Sequence, residues 1–196
     1  MALLATGRWR GRGPRLRGWL LLAGLALGGS IGTAQTPSVH EYQVKAVMLF
    51  NFAHFVEWPP AAFADLEAPL IIGVLGEDPF GTAIDEAVRG ERVGLRPLLV
   101  RRYRHLEDLG PCHVLFISRS EMARLDEIIA RLRDRSILTV SDAEGSAKRG
   151  VMIRFLNENN RVRLRINLQA AKRTGLQLSS KLLRPAEIVT SEENRP

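Results

Sequence analysis

Hydrophobic positions crowd residues 41–58, EYQVKAVMLFNFAHFVEW, at nearly every turn of a helix. At about 100° per residue the polar positions Gln43, Lys45, Asn51, His54 and Glu57 scatter around the axis, so this helix presents no clean solvated face and is expected to be covered on most sides. Ser38 followed by Glu41 reads as a capping box at its start. Trp58 before Pro59 and Pro60 marks its end, because proline removes an amide donor and pushes the preceding residue out of helical geometry.

Downstream the pattern shortens. LIIGVLG after Pro69 has strand length, and Asp78 with Pro79 predicts an N-cap and first position for a helix that runs through Val88 and stops at Gly90. RPLLVRRY at 96–103, CHVLFIS at 112–118 and ILTVSD at 137–142 read as further strands, the second apolar enough to be buried on both faces. Ser118 and Glu121 suggest another capping box, with Met122, Leu125, Ile128, Ile129 and Leu132 on one face of a helix through Arg133.

VMIRFL at 151–156 and RVRLRIN at 161–167, separated by Asn157, Glu158, Asn159 and Asn160, predict a hairpin. Val162, Leu164 and Ile166 alternate with Arg161, Arg163 and Arg165, which places the arginines on the face opposite the core. Asn167 caps a short helix ending at Gly175, LQLSSKLL follows as an amphipathic piece, and residues 191–196 are expected to form a flexible tail. The fold class is α/β: a three-layer sandwich with a central, mainly parallel sheet flanked by helices and a C-terminal antiparallel hairpin.

These stretches carry a resemblance. EYQVKAVMLFNFAHFVEWP, IGVLGEDPFG, CHVLFISRSE, ILTVSD and INLQAAKRTGLQLSSKLL follow, in order over roughly residues 40–188, the pattern of the YfiR family of bacterial periplasmic proteins. The resemblance implies a regulatory protein that binds the periplasmic part of an inner-membrane diguanylate cyclase and holds it inactive, without catalysis or a cofactor. The single cysteine departs from family members with paired cysteines and removes any redox control borrowed from them.

Composition narrows the field. The formal charge of +7 suggests nucleic acid until it is divided: Arg8, Arg10, Arg12, Arg15 and Arg17 lie in the first 34 residues with no acid among them, and without them 23 basic residues face 21 acidic ones. Nucleic acid is therefore not an expected partner. The arginine-rich start, the apolar run Trp19 to Leu27 and the small residues Gly32, Thr33 and Ala34 have the anatomy of a cleavable secretory signal, so residues 1–34 are expected to be a leader, residues 35–190 one domain, and the mature chain periplasmic. An uncleaved membrane anchor is the alternative, although the run is shorter than the ~20 residues a span needs.

Candidate chemistry is sparse. Gly73, Gly76 and Gly81 lack the spacing of a dinucleotide fingerprint, and Glu77 and Asp78 would repel a pyrophosphate. Cys112 and His113 are consecutive strand residues on opposite faces and cannot share a proton. Four dispersed histidines form no metal motif, and no nucleophile elbow or phosphate loop occurs. The partner-binding candidates are the arginine ladder, Arg161, Arg163 and Arg165, and the helix end, Phe55, Glu57 and Trp58. For the ladder the plainer reading is an arginine-rich surface neutralised by nearby acids; for Trp58 it is an aromatic folded back on the core edge. The expected function is an exported regulator of an inner-membrane signalling protein, with a homodimer open. A periplasmic small-molecule sensor using a crevice after LIIGVLG is the alternative, and an exported hydrolase the weaker one.

Overall fold

The computed structural model describes residues 38–189; the expected leader and tail lie outside them. In chain order the elements are α1 (Val39–Phe55), β1 (Val56–Glu57), β2 (Leu70–Leu75), α2 (Ala83–Val88), β3 (Arg92–Val93), β4 (Arg96–Tyr103) and β5 (Val114–Ile117). They continue with α3 (Leu125–Leu132), β6 (Leu138–Ser141), β7 (Ile153–Glu158), β8 (Arg161–Asn167), α4 (Leu168–Arg173), β9 (Gln177–Leu178), α5 (Ser180–Leu183) and β10 (Glu187–Val189).

Eight strands form one sheet in the order β10-β8-β7-β6-β5-β2-β4-β3, and β1 pairs separately with β9. Strands β4, β2, β5, β6 and β7 run parallel, β10 runs parallel to β8, and β8 and β3 are antiparallel to their neighbours β7 and β4. This is the expected sandwich. On β5, Val114 and Phe116 enter the layer filled by α1 and α2, while Leu115 and Ile117 enter the layer of α3, so strand alternation feeds two cores and leaves this strand no polar face. Gly73 of β2 faces the α3 side, where an added Cβ would lie 2.8 Å from Cys112 Sγ and 2.9 Å from the Tyr103 ring.

Several boundaries differ from the sequence reading. Ser38 caps α1 through its hydroxyl, which accepts from the Glu41 amide at 3.2 Å, but the Glu41 carboxylate bonds elsewhere and the box is half made. The helix is covered on most sides, as expected, but it does present one solvated face: His40, Gln43, Val44, Val47 and His54 are exposed together, opposite the buried Ala46, Leu49, Phe52 and Ala53. Asp78 does not cap α2. Its carboxylate accepts from the Phe80 amide two residues on, Gly81 turns to φ 56°, and the helix starts only at Ala83 behind Thr82.

Ser118 makes no side-chain cap; residues Arg119–Arg124 wind as a 3₁₀ segment before α3. The hairpin turn is tighter than expected, because Asn157 and Glu158 stay in β7 while Asn159 and Asn160 take φ of 52° and 58°, the left-handed pair a two-residue turn requires. The segment LQLSSKLL divides into β9 and α5, and β10 adds an unexpected edge strand.

Candidate functional site

The β7–β8 hairpin is longer than the strand that supports it. β6 ends at Ser141, opposite Arg154, so residues 155–158 of β7 and their partners on β8 extend past the edge at which the parallel strands finish. Phe155 with Leu164 and Ile153 with Ile166 fill the inner face. The outer face pairs Glu158 with Arg161, Leu156 with Arg163 and Arg154 with Arg165. Arg161 and Arg163 are exposed, whereas Arg165 donates through Nε and Nη2 to Glu187 of β10 at 2.9 and 2.7 Å. Register thus brings a fourth arginine, Arg154, onto the ladder face.

The helix-end candidates lie elsewhere. Phe55 is half-buried against the main core, its carbonyl accepting from the Ser179 amide at 2.9 Å, and Glu57 is exposed on β1. Trp58 is half-buried and its Nε1 donates to the His113 carbonyl at 3.3 Å, just before β5 begins. Arg161 stands past the opposite edge of the sheet, so the structure does not bring the two candidate groups together.

It does assemble a polar centre from residues that are distant in sequence. Lys45 of α1, 1% exposed, reaches Glu41 one turn earlier at 2.5 Å and Asp142, after β6, at 2.7 Å. The Tyr42 hydroxyl donates to the same Asp142 oxygen at 2.9 Å, Arg119 Nε donates to the other at 3.1 Å, and Asn157 of the hairpin donates to Glu41 at 2.7 Å. Burial works against the charged form of Asp142, but Lys45, Arg119 and the Tyr42 hydroxyl outweigh it and hold the carboxyl below its usual range. Burial and Asp142 push the Tyr42 phenol well above its ordinary value. Every charge here has a partner, so the cluster locks the start of α1 to the ends of β5 and β6 and to the hairpin.

Beside this lock the order of strand addition reverses: β4 joins one side of β2 and β5 the other. Open α/β sheets form ligand crevices outside the carboxyl ends of strands at such a point. An open cavity of about 490 Å³ lies there, lined by Gly76, Glu77, Asp78, Tyr103, Ser120 and Glu121 among others. The sequence pointed to the loop after β2 but missed the charged lock. Glu41 and Lys45, four residues apart in an otherwise apolar helix, were the available signal; nothing in sequence named Asp142 as their partner.

Cys112 and His113 separate as strand geometry demands. Burial pushes the Cys112 thiol up to about 12, and its sulfur sits in the α3 layer. His113 stacks on Phe63 at 4.4 Å on the other side. Among the described residues no group of His, Cys, Asp and Glu is placed to hold a metal ion, and no helix is long and apolar enough to cross a membrane.

The family model for YfiR/HmsC-like proteins matches residues 42–187, most of the chain. The chain belongs to the YfiR/HmsC-like family. No curated protein matches it. For a YfiR/HmsC-like protein the family-level role is regulatory, in cyclic di-GMP signalling in the periplasm. The matched segment opens at Tyr42 and closes at Glu187, so it contains the charged lock apart from Glu41, the crevice and the whole hairpin.

Proposed function

We propose that this chain binds the periplasmic part of an inner-membrane diguanylate cyclase, or a similar signalling protein, and stabilises its inactive arrangement. The family match supports the regulatory reading. The observation that carries the contact is the projecting hairpin, which holds Arg161 and Arg163 in solvent on a strand whose inner face is anchored in the core. Arginines displayed on an anchored strand suit an acidic partner surface: they steer the encounter and add charge-assisted hydrogen bonds. Binding one conformation of the sensor in preference to the other is sufficient to shift it, and the membrane helices carry the shift to the cytoplasmic catalytic part. This chain supplies no bond-making step.

The test is the double variant Arg161→Glu/Arg163→Glu, assayed for capture of the partner from membranes and for unfolding. Affinity should fall by about tenfold or more while stability stays within ~0.5 kcal/mol, as for exposed positions generally. Unchanged capture would remove the hairpin from the interface.

The crevice beside β2 supports a second reading, a small-molecule sensor. A ligand present at a hundredfold its dissociation constant would stabilise the fold by about 2.7 kcal/mol. A metabolite panel read by thermal unfolding separates this from pure protein binding.

A further inference from the structure

Among the described residues two buried side-chain atoms lack a hydrogen-bond partner, Ser146 Oγ and Arg154 Nε. The second belongs to a cation, for which an unmet donor is more costly than for a hydroxyl, and an unmet buried donor in a native fold calls for an explanation. Arg154 lies directly opposite Arg165 across an antiparallel pair, a placement in which like charges repel. Arg119, held by Asp142 just past the end of β6, lies within electrostatic range of Arg154. Burial and the charges of Arg165 and Arg119 together press the Arg154 guanidinium below its ordinary pKa.

Most of the surrounding acids are occupied. Asp142 is divided among Tyr42, Lys45 and Arg119, and Glu187 holds Arg165. Glu144 is exposed and within electrostatic range of Arg154 but forms no ion pair with it.

We propose that Arg154 and Arg165 form a binding site for a small oxyanion, of the phosphate or carboxylate type, on the outer face of the β7–β8 hairpin, with the Arg119 charge nearby. Glu187 fixes the direction of the Arg165 guanidinium, and Arg154 supplies a planar group whose buried Nε has no acceptor. Such groups match the paired oxygens of phosphate and carboxylate. Arg161 and Arg163 extend the positive face and draw an anion toward it. Arg154 is half-buried where the outer ladder arginines are exposed, which favours a small ligand over the side chain of a docked protein. The site is independent of the diguanylate cyclase reading, and its test needs only the purified chain.

Inorganic phosphate and citrate are titrated by calorimetry and by thermal unfolding, with chloride holding ionic strength constant. Saturable binding of at least one anion is expected, weakened about tenfold or more in Arg154→Gln and in Arg165→Gln. It should fall far less in Arg161→Gln, which removes only a distant attracting charge, and be tighter in Glu144→Gln, which removes the acid nearest in charge to Arg154. Preference for phosphate or for citrate assigns the ligand type and supports the site either way. Equal binding by wild type and both arginine variants would overturn it, as would no saturable binding of either anion. Loss of partner capture in Arg154→Gln without free-anion binding would replace it with an acidic side chain of the partner.

Discussion

His113 shows how much a single neutral side chain organises. Its Nδ1 accepts from the Ile71 amide at 3.0 Å, so the neutral ring carries its proton on Nε2, which donates to the Ala62 carbonyl at 3.1 Å. Phe63 stacks on it, and the Arg96 guanidinium lies 3.6 Å from the Phe63 ring centre. Burial first, and Arg96 as a nearby cation, lower the His113 pKa below its ordinary 6.5. The folded state therefore favours the neutral ring; its contribution is fully present above pH 6.5 and is lost as pH falls from there toward the folded value. Thermal unfolding between about pH 7 and about pH 5 should show this loss, and His113→Phe should flatten it. The variant should also be less stable by about 1–3 kcal/mol at neutral pH, since the buried Ile71 amide loses its acceptor. An unchanged pH slope in His113→Phe would assign the acid sensitivity elsewhere.

Lys45 belongs to the same scale. Lys45→Met would leave Glu41 and Asp142 buried without their shared cation, and a broken buried pair costs about 3–5 kcal/mol. Denaturant unfolding checks it, and a loss under about 1 kcal/mol would mean that solvent reaches the cluster. Asp142 is held below its usual range, so its contribution is present above the ordinary carboxylate pKa and vanishes as pH drops through the folded value. Acid unfolding of this chain should accordingly show a shallow phase from His113 and a later one from Asp142.

At the scale of elements, strands were legible as continuous hydrophobic runs where both faces are buried, as in β2 and β5, and as alternation where one face is exposed, as in β8. Helix starts were less so. Asp78 has the identity of an N-cap, but Arg102 of β4 binds it at 2.7 Å and Asp85 at 2.6 Å, and that tie across the molecule fixes the loop before α2. Gly73 is set by a neighbouring strand in the same way. Gly73→Ala would force a methyl group against Cys112 and Tyr103, at an expected cost of about 1–3 kcal/mol. If that overlap is the cause, adding Cys112→Ala should recover part of the loss in a double-mutant cycle; simple additivity would point to the Tyr103 ring or the Leu115 side chain instead.

For the molecule as a whole, the two sets of partner candidates stand at opposite ends of the parallel strands, so a single small contact cannot use both. Photoreactive residues at position 163 and at position 58 therefore report on different faces. Capture of an inner-membrane signalling protein from position 163 but not from position 58 is expected, because Trp58 spends its indole N–H on the His113 carbonyl while Arg163 is exposed. Capture only from position 58 would move the interface to the β1–β9 end.

The sequence by itself determined the layering, the longer strands β2 and β4 to β8, the cap of α1 and the alternating hairpin, since each depends on local periodicity and on residues within one turn or one strand; the short strands β1, β3, β9 and β10 it did not. Only the tertiary structure decided the pairings that span the chain. Lys45 with Asp142 and Arg165 with Glu187 follow from strand order and register, which no local pattern encodes. The same holds for Arg154, whose missing acceptor becomes visible only when β7 is placed between β6 and β8.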